Sequence, residues 1–561
     1  MTLAMPHREL RASVVVPARN EEALIRACLT ALAAQEDVPA EQYEVLLVLD
    51  RCEDETEARA REFASEHPAF GLHLLYGPGR GAGHARRVGM EEACARLVSV
   101  GRREGLVAST DADTVVAPDW LRAQLDVAAR GARAIGGRIE LREDEELPRE
   151  VGEWREEQGR EKHLELLATR APDGAAEHWQ FSGASLALTA ATYAEVGGLE
   201  PRAALEDEYL ERALERCSIP IERPLAVRVQ TSARTIGRAN RGLARDLALA
   251  SWVRRNTFDG DDFDIAAIAE TKKASGTTVS VILPMGGKGR GTSALLEALA
   301  PLTEAGLVDE KIVLSGEAGE ISAPHGARVY PDAELLPAFG PVRGYGDALW
   351  RGLAVSKGEI LLFLDPSVPD PEGRRALGLM APLVSREALH FVKGFSPAGS
   401  GEDPGGAMYL SELAARPLLN LYRPELAGFV DPVSAEIAAR RDLLMSLPFP
   451  AGYGASLSLL LDAFREKGIG ALAQVRLGER PEKGIPLADL GEAAYATLTA
   501  AMARIDAGGL EDRAPGPLFL PLPGSPTRLG QRRVAVEERP PLRSLRPSDL
   551  AETTTRRRGA R

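Results

Sequence analysis

The chain has 561 residues but only four cysteines, few aromatic residues (5%) and no surplus of positive charge. Cys28, Cys52, Cys94 and Cys217 show no metal-binding spacing, and a chain of this length does not need disulfides, a pattern typical of a reducing cytoplasm. The sequence has no signal-peptide profile, and no apolar run approaches the roughly 20 residues that cross a bilayer. We therefore expect a cytoplasmic protein without a transmembrane segment.

The net charge is −14 at pH 7. Nucleic acids and anionic membranes attract basic surfaces, so this charge disfavours nonspecific binding to either. A small or neutral partner fits better, and association into homo-oligomers is left open. The length exceeds what one hydrophobic core supports and predicts two or three domains.

Short β-branched or apolar runs alternate with amphipathic stretches in the first half of the chain. This pattern predicts an α/β fold with a parallel sheet covered on both faces. In such sheets, ligands bind beyond the carboxyl ends of the strands. Pro17, Asp50, Asp111 and Asp113 all follow or end such runs. They are therefore expected at one edge of the sheet.

A second series of strand-like runs follows in the other half. The stretch "RGAGHARRVG" (residues 80–89) has a counterpart in "RGYGDALWRG" (residues 343–352). A repeat this long indicates duplicated domains rather than a solenoid. The predicted division has four parts: a first domain (10–255), a linker (256–277), a second domain (278–505) and a Pro/Arg-rich tail (506–561) expected to be disordered.

Seven motifs in the first half, taken in order, resemble the nucleotide-sugar half of family-2 glycosyltransferases with the GT-A fold. They are "VVVPARNEE", "LLVLDRCEDET", "GAGHARRVGM", "STDADT", "SGASLALTAATYAEVGG", "EDEYLERAL" and "TSARTIGRANRG", and the resemblance covers residues 12–250. It implies a Rossmann-like GT-A fold for the first domain, and with the repeat the expected architecture is two such domains in tandem. It also implies a hexosyltransferase that uses a donor of the UDP-glucose or GDP-mannose class and a small or carbohydrate acceptor.

Asp111 and Asp113 stand two positions apart beyond a strand, so in extended backbone their side chains project to one side. Two hard carboxylates there can hold Mg²⁺ or Mn²⁺, with donor phosphates and water completing the coordination. An exposed acidic turn is the alternative.

The same resemblance implies contacts with the nucleotide sugar. Asp50 corresponds to an aspartate that accepts a hydrogen bond from the base, and Glu21 to an acidic residue near the ribose. A turn or helix-cap role is the alternative for both carboxylates. The glycine-rich stretch carries arginines that could meet phosphates. The implied donor-binding set is Pro17, Arg19, Glu21, Asp50, Arg80, Arg86 and Asp111.

Glu206 and Asp207 resemble the "ED" motif whose aspartate is the general base of inverting members. A carboxylate must take the proton of the acceptor hydroxyl as it attacks, but acidic residues also favour the first turn of any helix. Trp179 is either a sugar-stacking residue or a core residue. Arg234 and Arg238 either close over the diphosphate or acceptor, or belong to a solvated basic loop.

The second half resembles glucosyl-3-phosphoglycerate synthases and their mannosyl relatives. The resemblance rests on "GYGDALWRGLAVSKGEILLFLD", "HFVKGF" and "SELAARPLLNLYRPELAGFVDPVSAEIAARRDLL". The donor-site motifs depart from that family, because "PMGGKG" lacks the acidic residue, Tyr345 replaces a lysine and Ser367 replaces a metal-site aspartate. The second domain is therefore predicted to be degenerate. Lys393, Arg416 and Glu436 match family positions and either bind a small anion or serve the structure.

Three hypotheses follow. The first is a metal-dependent glycosyltransferase with its chemistry in the first half and, through Asp207, inversion at the anomeric carbon. The second is a glucosyl- or mannosyl-3-phosphoglycerate synthase that uses both halves and, as that family implies, retains the configuration. The third is a noncatalytic scaffold that binds sugar nucleotides.

Overall fold

The computed structural model describes residues 3–142, 149–169, 176–202, 206–235, 243–284, 291–315, 324–368, 370–396, 406–478, 487–505, 518–522, 525–532 and 538–545. The chain folds into two compact units, residues 1–251 and 252–561. The predicted α/β class is confirmed in both units. No described helix combines the length and apolarity that a bilayer span requires.

The first unit alternates strands and helices through most of its length. Its strands are β1 (Ala12–Ala18), β2 (Tyr43–Leu49), β3 (Leu72–Tyr76), β4 (Leu106–Ser109), β5 (Thr114–Val116), β6 (Ala134–Gly136), β7 (Arg138–Leu141), β8 (Leu186–Thr189), β9 (Ile221–Glu222) and β10 (Arg228–Thr231). Its helices are α1 (Ile25–Ala33), α2 (Thr56–Glu66), α3 (Ala82–Ser99), α4 (Trp120–Ala129), α5 (Arg149–Thr169), α6 (Ala190–Glu195), α7 (Glu206–Arg216) and α8 (Leu243–Asn256), the last of which continues into the second unit.

The main sheet of the first unit has the strand order β3-β2-β1-β4-β8-β6-β9, and only β8 runs antiparallel to its neighbours. Strands β1, β2 and β4 are buried along their whole length, as expected where helices cover both faces. The edge strand β3 is only half-buried. A smaller sheet has the order β5-β10-β7.

The second unit repeats this plan. Its strands are β11 (Thr257–Asp259), β12 (Val279–Pro284), β13 (Glu310–Ser315), β14 (Arg328–Pro331), β15 (Ile360–Phe363), β16 (Phe391–Phe395), β17 (Ile437–Arg440), β18 (Phe449–Pro450), β19 (Leu472–Arg476), β20 (Leu518–Leu522), β21 (Ser525–Arg532) and β22 (Glu538–Arg539). Its helices are α9 (Ile265–Ser275), α10 (Thr292–Ala298), α11 (Ala300–Glu304), α12 (Tyr345–Val355), α13 (Arg374–Ser385), α14 (Gly406–Leu410), α15 (Arg416–Tyr422), α16 (Arg441–Ser446), α17 (Ala455–Lys467) and α18 (Leu487–Ile505).

The order of the second main sheet is β14-β13-β12-β15-β17-β16-β19-β11, with β17 antiparallel to both neighbours. Seven of its strands therefore match the first sheet position by position. The glycines that end the repeated sequences play the same part in each unit. A side chain at Gly89 would lie 2.3 Å from Val15 Cγ1 of β1, and one at Gly352 would lie 2.7 Å from Ile282 Cγ2 of β12. Each glycine lets its helix approach the central strand.

The stretch predicted as a linker (256–277) instead forms β11 and α9 of the second unit. Strand β11 extends the second sheet by pairing with β19. Helix α9 is capped by Asp264, which accepts a hydrogen bond from the Ala267 amide at 2.9 Å, and its Ile268 is buried in the core of that unit. The stretch is mostly polar, so its few apolar positions did not indicate a strand and a helix in the sequence.

Residues 538–545, which we call the C-terminal clasp, pack against the second unit. Strand β22 pairs with β18, and the Trp350 indole donates a hydrogen bond to the carbonyl of Pro540 at 2.9 Å. Arg539 donates to both carboxylate oxygens of the buried Asp347, at 3.0 and 2.6 Å. These eight residues of the predicted tail are therefore held by specific contacts.

Candidate active site

Three turns meet at the carboxyl edge of the first main sheet. The Asp50 amide donates a hydrogen bond to the carbonyl of Ala18 at 2.8 Å, and the Thr110 amide donates to the carbonyl of Val15 at 3.1 Å. The loops after β1, β2 and β4 therefore begin side by side, where the sequence analysis expected them.

Asp50 anchors the glycine-rich loop that follows β3. Its carboxylate is buried and accepts hydrogen bonds from the amides of Gly79, at 2.5 Å, and Gly81, at 3.0 Å. A side chain at Gly77 would lie 2.6 Å from Asp50 Oδ1, so the loop needs glycine to approach this closely. In this structure Asp50 therefore has the turn-forming role that was the alternative to base binding. A nucleobase would have to share the Asp50 carboxylate oxygens that already accept hydrogen bonds from the loop.

Arg86, predicted to meet donor phosphates, lies at a buried junction of hydrogen bonds, which we call the Arg86 junction. Its side chain is only 3% exposed. It donates to Ser109 Oγ at 2.5 Å, to the carbonyl of Gly183 at 2.9 Å, to Glu206 Oε1 at 2.9 Å and to Asp111 Oδ1 at 2.7 Å. Ser109 ends β4 and Glu206 begins α7, and the other two partners lie in loops. Arg86 forms ion pairs with the carboxylates of both Asp111 and Glu206.

Asp111 and Asp113 differ in their surroundings. The Asp111 side chain is 34% exposed, whereas that of Asp113 is 16% exposed. Burial raises the pKa of Asp113 to about 6, and the neighbouring Asp111 charge adds to this, while Arg234 opposes it. Carboxylate oxygens at the end of a strand are suitable ligands for Mg²⁺ or Mn²⁺.

Among the described residues, no cluster of three or more His, Cys, Asp or Glu side chains is placed to hold a metal. Asp111 and Asp113 stay the predicted metal ligands, and in that prediction donor phosphates and water complete the coordination.

Arg234 joins Glu21 to Asp113. It donates to Glu21 Oε2 at 2.9 Å and to Glu21 Oε1 at 2.8 Å, and its Nη2 lies 2.7 Å from Asp113 Oδ2. Glu21 is buried, and its carboxylate faces the site rather than capping α1. An open depression of about 360 Å³ adjoins these groups. It is lined by Asn20, Glu21, Glu22, Ala23, Leu24, Glu53, Asp54 and Arg234.

Glu206 and Asp207 begin α7 beside the Arg86 junction. Glu206 is buried against Arg86, whereas Asp207 is half-buried. Asp207 Oδ2 accepts a hydrogen bond from the Gly183 amide at 3.0 Å, and Oδ1 accepts one from the Glu208 amide at 3.0 Å. Gly183 therefore contacts Asp207 through its amide and Arg86 through its carbonyl. The two acidic residues of the motif have different partners.

Other predicted residues lie farther from this network or outside it. Arg19 and Arg80 are exposed at the edge, and Pro17 is buried within β1. Trp179 is half-buried, with the Lys162 ammonium 4.4 Å from its ring centroid, a cation–π contact that occupies one face of the ring. Arg238 lies outside the described residues.

Sequence reasoning missed two members of the Arg86 junction, Ser109 and Gly183. Both stand in motifs quoted for the resemblance, but neither type of side chain signals an arginine partner. Ser109 lies 23 positions from Arg86 and Gly183 lies 97 positions from it. Only the fold brings them together.

The three residues of the candidate anion site in the second unit all have partners within the protein. Lys393 is fully buried, and its ammonium donates to the carbonyls of Ser434, at 2.9 Å, and Ser456, at 3.1 Å. Burial lowers the pKa of Lys393 to about 7, although the Asp431 charge opposes this.

The other two members of that predicted site have partners of their own. Glu436 pairs with the buried Arg375. Arg416 donates to both carboxylate oxygens of Glu412, at 2.8 and 2.9 Å, and to the carbonyl of Val430 at 2.8 Å. The three side chains serve separate contacts, which favours the structural alternative.

Comparison with known proteins gives the following similarities. Residues 13–183 match the glycosyl transferase family 2 model. The glucosyl-3-phosphoglycerate synthase of Mycobacterium tuberculosis is 39% identical over 294 residues, which are 50% of this chain and 89% of that protein. The protein of the same name from Mycolicibacterium paratuberculosis is 35% identical over 312 residues, 53% of this chain and 93% of that protein.

A crystal structure of the Mycobacterium tuberculosis glucosyl-3-phosphoglycerate synthase, in complex with Mn²⁺, UDP-glucose and phosphoglyceric acid, also matches. It is 35% identical, has a TM-score of 0.45, and the match covers 52% of this chain and 99% of that one.

Proposed function

Because this chain belongs to the glucosyl-3-phosphoglycerate synthase family and is a glycosyltransferase, we propose that its first unit transfers a hexose from a nucleotide-diphosphate sugar. The acceptor in this proposal is a small molecule or a carbohydrate, and the reaction depends on Mg²⁺ or Mn²⁺.

The Arg86 junction is the observation that carries the proposal. Removing one partner of a buried ion pair lowers the free energy of unfolding by about 3–5 kcal/mol. A buried arginine is therefore stable only where its anionic partners are held close to it. Here the partners are Asp111, on the expected donor side, and Glu206, beside the expected base. One buried cation therefore links Asp111, a proposed metal ligand, to Glu206, the residue next to the proposed base.

The residues divide the chemistry between them. Asp111 and Asp113 would hold the metal, whose charge neutralises the diphosphate leaving group. The Asp207 carboxylate would accept the proton of the acceptor hydroxyl as that hydroxyl attacks the anomeric carbon. The Gly183 amide, 3.0 Å from Asp207 Oδ2, fixes the direction of that carboxylate. This arrangement predicts a product of inverted configuration.

Formation of glucosyl- or mannosyl-3-phosphoglycerate by both units is the second candidate. It is supported by identities of 35% and 39% over most of the length of relatives that bear the first of these names. Membership in a family of enzymes does not favour the scaffold alternative. In this second candidate the configuration would be retained, and both units would be GT-A domains that contribute to one activity.

The deciding experiment uses the full chain with UDP-glucose or GDP-mannose, with Mn²⁺ or with EDTA, and with 3-phosphoglycerate or a panel of sugars as acceptor. Stabilisation by donor in a thermal-shift assay would show binding, because a ligand of the folded state raises the melting temperature. Proton NMR of the product gives its anomeric configuration. An inverted product supports the first candidate, and retained glucosyl-3-phosphoglycerate supports the second. No donor binding under any condition would contradict both.

A further inference from the structure

We propose that Arg234 is a displaceable counter-cation: its guanidinium neutralises Glu21 and Asp113 until a divalent metal and the donor diphosphate replace it. This inference rests on the proposed function and concerns how the same site is regulated. Its first consequence is that metal alone binds weakly, because metal must compete with a side chain of the protein.

Two carboxylates from different strand ends require a cation in this place. Glu21 follows β1 and Asp113 follows β4, and both side chains are largely buried. Arg234 reaches both, with a two-pronged contact to Glu21 and a single contact of 2.7 Å to Asp113 Oδ2. The oxygen that Arg234 holds belongs to a predicted metal ligand. Metal and guanidinium therefore compete for Asp113 directly.

The setting of Arg234 allows displacement, whereas that of Arg86 does not. The Arg234 side chain is 27% exposed and lines the open depression, whereas Arg86 is 3% exposed and has four partners. Arg234 also lies three residues beyond the end of β10, in a loop. Breaking its contacts turns the guanidinium toward solvent instead of leaving it buried. One arginine of the site is thus fixed and the other is exchangeable.

Charge balance links metal binding to donor binding. Metal that replaces Arg234 on Asp113 leaves the guanidinium without that anionic partner. A nucleoside diphosphate supplies new anionic oxygens, which guanidinium groups bind well. Each ligand should therefore strengthen the binding of the other, and by thermodynamic linkage the effect must be reciprocal.

The test measures Mn²⁺ binding to the full chain by the electron paramagnetic resonance of free Mn²⁺, with and without UDP. The variants are Arg234→Gln, Asp113→Asn and, as a matched control, Arg87→Gln, which removes an exposed arginine paired with Glu91. Without UDP, Arg234→Gln should bind Mn²⁺ at least about tenfold more tightly than the natural chain, and the gain from UDP should shrink. Arg87→Gln should match the natural chain, and Asp113→Asn should bind little Mn²⁺.

The outcomes separate the inference from the proposed function. If the natural chain binds no Mn²⁺ even with UDP, the proposed donor site is wrong. If it binds Mn²⁺ with UDP but folded Arg234→Gln has unchanged or weaker affinity for Mn²⁺ alone, the counter-cation role is overturned. Should Arg234→Gln fail to fold, Arg234→Lys provides the same test, because an ammonium lacks the planar set of donors with which a guanidinium binds two carboxylates. It should raise the affinity for Mn²⁺ alone by a smaller factor, and no increase would overturn the role.

Discussion

Arg86 donates hydrogen bonds to Asp111 at 2.7 Å and to Glu206 at 2.9 Å, so a single buried guanidinium spans the candidate site. Asp111 lies two positions beyond the end of the fourth strand, and Glu206 begins α7. Their relative position therefore depends on Arg86. This relationship makes Arg86 a positioning residue. Substitutions of Arg86 and Glu206 can therefore show whether stability and transfer activity change separately.

Arg86→Met should destabilise the protein by about 3–5 kcal/mol, because Glu206 would remain buried without its cation. Urea denaturation measures this loss. Arg87→Met, on the same helix, should cost at most about 1 kcal/mol, since the described ion pair of Arg87 is a solvent-exposed one with Glu91. The double variant Arg86→Met/Glu206→Gln should recover part of the stability but not the transfer activity. Recovery of both would contradict the positioning role.

Asp207→Asn should keep donor affinity and lower turnover by roughly 10²- to 10⁴-fold, the usual contribution of a positioned acid or base. Isothermal titration with donor and steady-state assays measure the two quantities. Glu208→Gln is the matched control, because Glu208 is the exposed next residue of α7. Unchanged turnover with altered stability would assign Asp207 to the start of the helix.

Asp113→Asn should abolish metal-dependent donor binding, whereas Asp365→Asn should leave it nearly unchanged. Asp113 has a carboxylate partner two positions away, but Asp365 is followed by Pro366 and Ser367, and one of its oxygens accepts a hydrogen bond from the Ser367 amide at 2.9 Å. Calorimetric titration with UDP-glucose and Mn²⁺ compares the two variants. Equal losses would show that the second unit also contributes to donor binding.

The stability of the natural chain relative to Lys393→Met should rise with pH above 7. Lys393 has a pKa of about 7 in the folded protein, below its ordinary value, so between these values the unfolded chain binds the extra proton. The cost of burying the charge is full below pH 7 and is relieved as pH rises, by up to about 1.4 kcal/mol per pH unit.

Urea denaturation at pH 7 and pH 9 measures this dependence on pH. Lys357→Met, at an exposed position, serves as the control and should show no such dependence. A difference between the natural chain and Lys393→Met that does not change with pH would mean that Lys393 stays charged in the folded protein.

Arg539→Gln should lower the stability of the second unit by about 1–3 kcal/mol, because the buried Asp347 loses a charged donor to both of its oxygens. Differential scanning calorimetry of the full chain measures the shift in melting temperature. Arg543→Gln should have little effect, since the described contact of Arg543 is one hydrogen bond at 3.1 Å to the carbonyl of Asp442. Equal shifts in melting temperature for the two variants would contradict the role of Arg539 in holding the clasp.

The sequence predicted what depends on local pattern. Apolar runs located β1, β2 and β4, and the alternation with helices gave the α/β class. The glycines at positions 89 and 352 were visible in the sequence as part of a repeat. Their shared role is to allow a helix to lie close to the central strand of each sheet. Because strand ends share one edge of a parallel sheet, the neighbourhood of Asp50 and Asp111 was predictable as well.

What the sequence could not show is which charged groups pair. Arg86 was expected to face phosphates, and its motif gave no sign of the ion pairs that it forms with Asp111 and Glu206. Glu21 and Arg234 are separated by 213 positions, so no local pattern connects them. The linker was misjudged because its few apolar residues, such as Ile268, become meaningful only against the second core. Long-range pairing depends on the fold, and no short motif encodes it.

The clasp also has a consequence for the order in which the chain is made. Arg539 lies 192 positions after Asp347, the carboxylate that it neutralises. A ribosome adding roughly 5–20 residues per second would need about ten seconds or more to deliver that partner. During this interval Asp347 of α12 lacks one of its two arginine partners. The contact between Asp347 and Arg539 can therefore form only late in synthesis, and a chain that stops short of residue 539 would leave Asp347 without this charged partner.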